Sequence, residues 1–489
     1  MASPIKIPNL NQDLGSNGAI PTFGKPFAFS KESMSNTLNL HDTWPTQVAI
    51  RRTWSTEISP INSIQNSSYA QFRVDSHGNI VIDPFNCYTK SEVKVERKDN
   101  KALGDKDYAF LVNNISSAAF KSCRINLNAY NIQEADGVYH YRSNLEKTLM
   151  ATSEGQNGSY CLAGYIPEKT KLDSLDNNEI EQIKAKPAKK SKEDEEEEKE
   201  KLTKDQKNFK TRCEELRNNK ILQFIDIIHA DICRQDKKLP PGSVLDFWFD
   251  RQDNMDLLIK NITGKESEYK LIFNRIVLVI RFCEVDESVI SNMMTVLETI
   301  PYQIPLRRVE INYFCKASGI SDYSEPNALV KEGNFLPRRI FFVAIEQDAF
   351  HGHPKKDPFY YKNLNPASIC LKVGGQVLPY PEIQMNREEI LNDFTEPFFY
   401  LQQAVGTCFS PDARLPFKPK DMDTGNFIVG YDLTSVDADN AFELAQKTTV
   451  ELQYKLRSAP NKPHILLVYM EYDSEIQINN QGQVQIIRS

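Results

Sequence analysis

The stretch LPRRIFFVAIEQDAFHGHPKKDPFYYKNLN, residues 336–365, poses a choice between chemistry and architecture. Residues 340–345 are apolar and rich in β-branched and aromatic side chains, the composition of a strand. His351 and His353 follow one residue apart, flanked by Asp348 and Asp357. Imidazoles at that spacing face one way only on an extended strand, whereas Gly352 and Pro354 favour a turn. No third His or Cys stands close by in the chain, so an exposed loop after a strand outweighs a metal site.

Strand-like blocks continue on both sides of this stretch. Downstream lie ASICLKVGGQVLP, NFIVGYDLT, TVELQYKL and HILLVYMEYDSEIQI, and the closing EIQINNQGQVQII predicts a hairpin across Asn480, Gln481 and Gly482. Upstream, DESVISNMMTVLETI breaks the pattern. Asp286 or Ser288 caps a helix there, Val289, Met293, Val296 and Leu297 share one side, and Pro301 and Pro305 stop it. Before the helix, YKLIFNRIVLVIRFCEV is continuously apolar over residues 276–280, as in a strand covered on both faces. FKSCRINLNAYNI places Cys123, Ile125 and Leu127 on one face. YAQFRVDSHGNIVIDPF alternates on either side of His77, Gly78 and Asn79, which predicts another hairpin. Two consecutive blocks of strands joined by one helix predict an all-β chain of two sandwiches with long loops.

The expected organisation is an extended arm at 1–55, a first sandwich at 56–284, a linker helix at 285–300 and a second sandwich at 301–489. The arm is rich in Pro, Asn and Ser and has no sustained period. Within the first sandwich, residues 168–220 form a charged insertion that contains KAKPAKKSKEDEEEEKEKLTKDQKNFK. Such a segment buries too little apolar surface to offset its ordering entropy, so an insertion that is either disordered and flexible or a solvated helix is expected. The chain has 489 residues, enough for two sizeable cores. A net charge of −7 argues against a surface given over to nucleic acid. The nine cysteines are spread singly, without a CxxC pair, and read as small buried apolar residues.

Motifs for catalysis are weak. Asp226 and His229 in FIDIIHADICRQ are three apart, so a shared helical face would pair them for acid–base work; a structural pair beside Leu222, Ile225 and Ile228 is the simpler reading. KVGGQVLPYP has a glycine pair but lacks the spacing and the Lys of a phosphate loop. No GxSxG or HExxH occurs.

The segment LPRRIFFVAIEQDAFHGHPKKDPFYYKNLNPASICLKVGGQVLP closely resembles the major capsid proteins of Maverick/Polinton elements and the related adintoviruses. The likeness rests on the basic pair, the apolar strand, the turn Asp348-Ala349-Phe350-His351-Gly352, Pro358-Phe359, Tyr360-Tyr361, and a strand ending in a Gly turn and a Pro. Three further pieces resemble the family in the same order. They are NNISSAAFKSCRINLNAYNIQEADGVYHYRSNLEKTLM, with Tyr139, Tyr141 and Arg142; IDIIHADICRQDKKLPPGSVLDFWFDR; and NFIVGYDLTS with the closing LLVYMEYDSEIQIN. The likeness spans residues 60–489 and omits the arm and the charged insertion.

The resemblance implies two tandem eight-stranded jelly rolls of the adenovirus hexon lineage. It implies a homotrimer that tiles an icosahedral shell around double-stranded DNA, located in the virion and assembled inside the host cell. Penton or minor capsid proteins are the implied partners, with no enzyme activity, cofactor, metal, small-molecule ligand or membrane span. Phe359, Tyr360 and Tyr361 are the candidate subunit contact, because aromatic side chains concentrate at interface cores; plugging the end of their own barrel is the competing reading. Arg51 and Arg52, near the end of the arm, are candidate arm contacts. The alternative is a carbohydrate- or partner-binding β-sandwich, a domesticated viral copy. A lectin would be expected to show tryptophan platforms, and of Trp44, Trp54 and Trp248 two fall in the arm.

Overall fold

Period-2 alternation sets the strands of the first half. The computed structural model describes residues 46–65, 67–104, 107–150, 158–166, 204–261, 268–326, 335–385, 394–408, 415–435 and 441–488. Ten strands come first: β1 (Ile50–Ile58), β2 (Tyr69–Asp75), β3 (Ile80–Arg97), β4 (Ala109–Leu111), β5 (Phe120–Leu127), β6 (Tyr130–Gln133), β7 (Leu222–Ile227), β8 (Val244–Arg251), β9 (Ile259–Asn261) and β10 (Tyr269–Val285). Eight of them make two four-stranded sheets, β1-β10-β3-β7 and β2-β8-β5-β6, and β4 and β9 form a separate ribbon. Every pairing is antiparallel. Apart from the β5–β6 hairpin, the chain alternates between the two sheets, which is the jelly-roll order.

The second half repeats that order. Its strands are β11 (Tyr302–Lys316), β12 (Asp322–Pro326), β13 (Arg339–Glu346), β14 (Pro366–Val373), β15 (Gln376–Val377), β16 (Ile383–Gln384), β17 (Ile428–Asp432), β18 (Val450–Leu456), β19 (His464–Ile478) and β20 (Val484–Arg488). They build β11-β19-β13-β17, with β20 on β19, and β12-β18-β14-β15, with β16 on β14.

Seven α-helices are described: α1 (Ile115–Ala118), α2 (Tyr139–Met150), α3 (Lys204–Glu215), α4 (Met255–Leu258), α5 (Glu287–Leu297), α6 (Gln347–His351) and α7 (Thr395–Val405). Helix α5 stands between the two barrels in sequence, and the Asp286 side chain accepts from Ser288 N at 2.9 Å as its cap. Among the described residues no helix is long and apolar enough to cross a membrane.

Apolar side chains of both barrels pack into one continuous core. In the first barrel Phe72, Phe120 and Phe247 surround Phe249, with ring centroids 6.0, 5.3 and 6.3 Å from it. In the second, Phe341 meets Tyr469 and Phe342 meets Tyr431 edge-on. Each such buried ring contributes about 1.5–3 kcal/mol relative to exposure.

Residues 276–280 are buried throughout, as a strand covered on both faces requires. Cys123, Ile125 and Leu127 face the core together. The terminal hairpin forms, with Gly482 at φ 74 and Gly482 N donating to Asn479 O at 3.0 Å. The turn at His77, Gly78 and Asn79 is not a hairpin: β2 pairs with β8, β3 pairs with β10 and β7, and the turn crosses from one sheet to the other. Local alternation cannot distinguish these, because it fixes which face is buried and leaves the partner strand open.

Asp226 does not share a helical face with His229; it lies on β7, and His229 follows that strand. All nine cysteines are free; six are buried, while Cys161 and Cys315 are exposed and Cys408 is half-buried. Residues 1–45 of the expected arm and 168–203 of the charged insertion lie outside the described residues.

Candidate functional site

The sequence of α2, YHYRSNLEKTLM, is polar enough for a surface helix, yet residues 139–149 are all buried and only Met150 at its end is exposed. A buried charge requires a partner and full hydrogen bonding. Each charged side chain of α2 has both. Arg142 Nε donates to Glu146 Oε1 one turn on at 2.9 Å, and Arg142 Nη2 donates to Asp231 Oδ1 at 2.6 Å. Glu146 Oε2 accepts from Arg234 Nη2 at 2.8 Å and shares a 2.6 Å hydrogen bond with His229 Nδ1. Lys147 Nζ lies 2.7 Å from Asp226 Oδ1. The charged partners from outside the helix come from β7 and the segment that follows it.

The second barrel closes on the same helix. Tyr361 Oη donates to Asn144 Oδ1 at 2.7 Å, and Tyr469 Oη on β19 reaches Glu146 Oε1 at 3.4 Å. Val309 N on β11 donates to Asp231 Oδ1 at 3.3 Å. Tyr141 stacks on Phe350 with centroids 5.2 Å apart and planes 5° from parallel. Phe359 lies edge-on to Tyr141 and His140. Lys260 on β9 is buried and donates to two carbonyls: Asp256 of α4 at 2.7 Å and His353 of the second barrel at 3.2 Å. Helix α2 is thus the keystone of the barrel junction.

The junction perturbs its titratable groups in opposite senses. Burial alone would raise the Glu146 carboxyl, but Arg234, Arg142 and His229 together hold it well below the usual carboxylate range. Burial raises Asp231 against the pull of Arg142. His140, packed among rings, is pushed by burial down to about 3. Burial lowers Lys260 to about 7, with Asp357 and Asp256 opposing it.

Phe359 and Tyr361 are fully buried in the chain's own junction, against α2. This position replaces the subunit contact expected for them, because side chains already covered have no surface for a neighbour. Tyr360 is half-buried. Arg51 and Arg52 stand on β1, where Arg51 Nη2 pairs with Asp286 at 2.9 Å and Arg52 pairs with Glu284. His351 closes α6, and His353 Nδ1 accepts from Lys355 N at 3.1 Å. Among the described residues no group of three or more His, Cys, Asp or Glu is placed to hold a metal. Sequence reading had picked out Tyr139, Tyr141, Arg142, Asp226 and His229, but not Glu146, Lys147 or Asp231. The available signal was a charged run inside a segment flanked by core strands.

Two clefts open beside the junction. One, of about 310 Å³, lies between the end of β6 and β11 and is lined by Arg142, Asp231, Arg308 and Glu310. The other, of about 710 Å³, is lined by Phe85, Arg234, Lys237, Arg307 and Phe442.

No family model matches the chain. Over 372 residues it is 22% identical to the uncharacterized protein F54H12.2 of Caenorhabditis elegans, covering 74% of this chain and 78% of that one. Among solved structures it is similar to a chain of the Sputnik virophage, with a TM-score of 0.55 at 10% identity over 97% of this chain and 95% of the other. It is similar to PBCV-1 VP54 as fitted into a reconstruction of Sputnik, with a TM-score of 0.54 at 8% identity, covering 92% and 99% of the two chains. The PBCV-1 virus capsid gives 0.50 at 8% identity over the same shares. With the repeated sheet order, these likenesses identify the fold as the double jelly roll of viral major capsid proteins, the fold that the Maverick/Polinton resemblance implied.

Proposed function

We propose that the chain is the major capsid protein of a Maverick/Polinton-type element, a structural protein and not an enzyme. Three copies form a ring whose six barrels give a tile of nearly hexagonal outline, and these tiles cover an icosahedral shell around double-stranded DNA. The observation that carries the reading is the hydrogen-bonded, packed junction of the two barrels. Two barrels of the same topology are locked together through α2, so one chain presents a fixed pair of corners. A tile needs that fixed angle, since freely hinged barrels would not repeat a hexagonal edge. The likeness to virophage and PBCV-1 structures over more than nine-tenths of their chains supports it.

Closed threefold symmetry makes the contact within the ring heterologous. Such an obligate interface buries about 2,000–5,000 Å² or more. Contacts between tiles are smaller and individually weak, so that assembly corrects its errors. We assign 1–55 to an arm reaching a neighbour or minor protein, its last residues, 50–55, pairing as part of β1 with β10 of the first barrel, and assign 56–284 to that barrel, 285–300 to the linker and 301–489 to the second barrel. Of the insertion assigned to 168–220, the described end carries helix α3, and its Cys213 and Leu216 pack into the core of the chain. The protein acts in the virion, with itself and a penton or minor protein as partners.

Light scattering and electron microscopy of the purified full chain test the reading. Trimers of hexagonal outline, or shells, are expected. A monomer at all concentrations, with no ordered assembly, overturns it.

A further inference from the structure

Asn114, Lys147 and Asp226 meet inside the first barrel, on three different elements: the residue before α1, helix α2 and strand β7. The Lys147 side chain is 0% exposed and that of Asp226 3%, and Asn114 is 0% exposed. Lys147 Nζ donates to Asn114 Oδ1 at 2.5 Å and lies 2.7 and 2.8 Å from the two Asp226 oxygens. Ser117 Oγ donates to Asp226 Oδ2 at 2.5 Å. On the other side of the amide, Asn114 Nδ2 donates to Ser143 Oγ at 2.9 Å, which holds the amide in one orientation. A lysine–aspartate ion pair alone needs no carboxamide on its nitrogen. Here an amine, an amide carbon and a carboxylate are held together out of contact with solvent.

We propose that these three side chains form an intramolecular isopeptide bond between Lys147 Nζ and Asn114 Cγ, with Asp226 carrying the protons. A proton first passes from the Lys147 ammonium to Asp226, leaving a neutral amine. The amine nitrogen attacks Cγ, the carbonyl π pair moves to Oδ1, Asp226 passes its proton to Nδ2, and the carboxylate so restored takes a second proton from Lys147 Nζ. Oδ1 then re-forms the carbonyl as the Cγ–Nδ2 bond breaks, and Asp226 delivers its second proton to the departing ammonia and returns to the carboxylate. The balance is one lysine ammonium and one carboxamide giving one secondary amide and one ammonium ion, with no oxidant or other reagent. Burial, the largest influence on Lys147, pulls its ammonium below the ordinary value and eases the first step, against the opposing pull of Asp226. Fixing amine and amide in contact supplies the effective concentration that such an uncatalysed acyl transfer lacks in water. Positioned proton transfer by a carboxyl group adds to it.

The product joins two residues 33 apart in sequence and pins α2 to the start of α1. The inference is independent of the capsid reading, because it rests on the interior of one barrel.

Denaturing mass spectrometry of the purified full chain tests it. The expected result is a deficit of one ammonia relative to the sequence. A tryptic digest should also contain a branched peptide joining Lys147 to Asn114, which is informative whatever happens to the N-terminus. Lys147→Arg and Asn114→Ala each restore the full mass, and Asp226→Ala retains it. A folded wild-type chain that keeps its full mass and yields only linear peptides after prolonged incubation overturns the proposal. The wild-type measurement stands even if a variant fails to fold.

Discussion

Helices α2 and α5 have exchanged the places their sequences would assign them. Helix α2 carries Arg142, Glu146 and Lys147, and all but its last residue is buried. Helix α5 carries Val289, Met293, Val296 and Leu297, and none of its residues is buried. Only Val289 and Ile290 at its start pack on Val81, Cys283 and Val285. The cause is topological. Helix α2 leaves the first barrel where the second barrel closes on it, so its polar side chains are enclosed and must find partners. Helix α5 only carries the chain from β10 to β11, along the outside. A helix's burial is set by what the rest of the chain packs on it, and its own hydropathy decides only how that burial is satisfied.

The difference should appear most strongly in Arg142→Ala. It leaves Glu146 and Asp231 buried with one partner fewer, and a loss of about 3–5 kcal/mol is expected in denaturant unfolding. A loss below about 1 kcal/mol, the level of a surface ion pair, would remove α2 from the keystone role.

A smaller effect is expected from Lys260, which bridges the barrels with no carboxylate among its hydrogen-bond partners. Burial lowers its folded value to about 7 from 10.5. Between those values the unfolded chain binds more protons, so stability rises with pH, by at most about 1.4 kcal/mol per pH unit. Below the folded value both states are charged and the dependence vanishes. Unfolding midpoints measured from pH 7 upward should show this rise in the wild type and lose it in Lys260→Met. An identical slope in both proteins would place the titration elsewhere.

Glu146 acts in the opposite window. Its folded value is depressed below the ordinary 4.5, so its contribution is complete above that pH and is lost as acid protonates it. Acid titration of the wild type should expose Tyr469 and Tyr361 fluorescence below that value, and Glu146→Gln should shift the transition. Least of all, Val296→Ser on α5 should change stability by no more than about 0.5 kcal/mol, as exposed substitutions do. A larger loss in the assembled form only would show that a neighbouring copy covers this helix.

Much of the fold could be read in the chain. The alternation in FKSCRINLNAYNI gave β5 its buried face, and the apolar run at 276–280 gave a strand covered on both sides. The Asp286 cap placed the helix between the blocks, and Gly482 with its neighbours gave the last hairpin. Family resemblance picked out Tyr139, Tyr141 and Arg142, without indicating that they are buried. The aromatic run at 359–361 looked like an interface, and it is one, but between two barrels of the same chain.

Composition, period and capping are local properties, so the sequence by itself determined two blocks of strands, the helix between them and the faces destined for the core. Which strands pair, and which charges meet, was decided only by the tertiary structure. Arg51 reaches Asp286 across 235 positions and Tyr469 reaches Glu146 across 323. No local pattern encodes such partners, because a strand's alternation is satisfied equally by any neighbour that covers the same face.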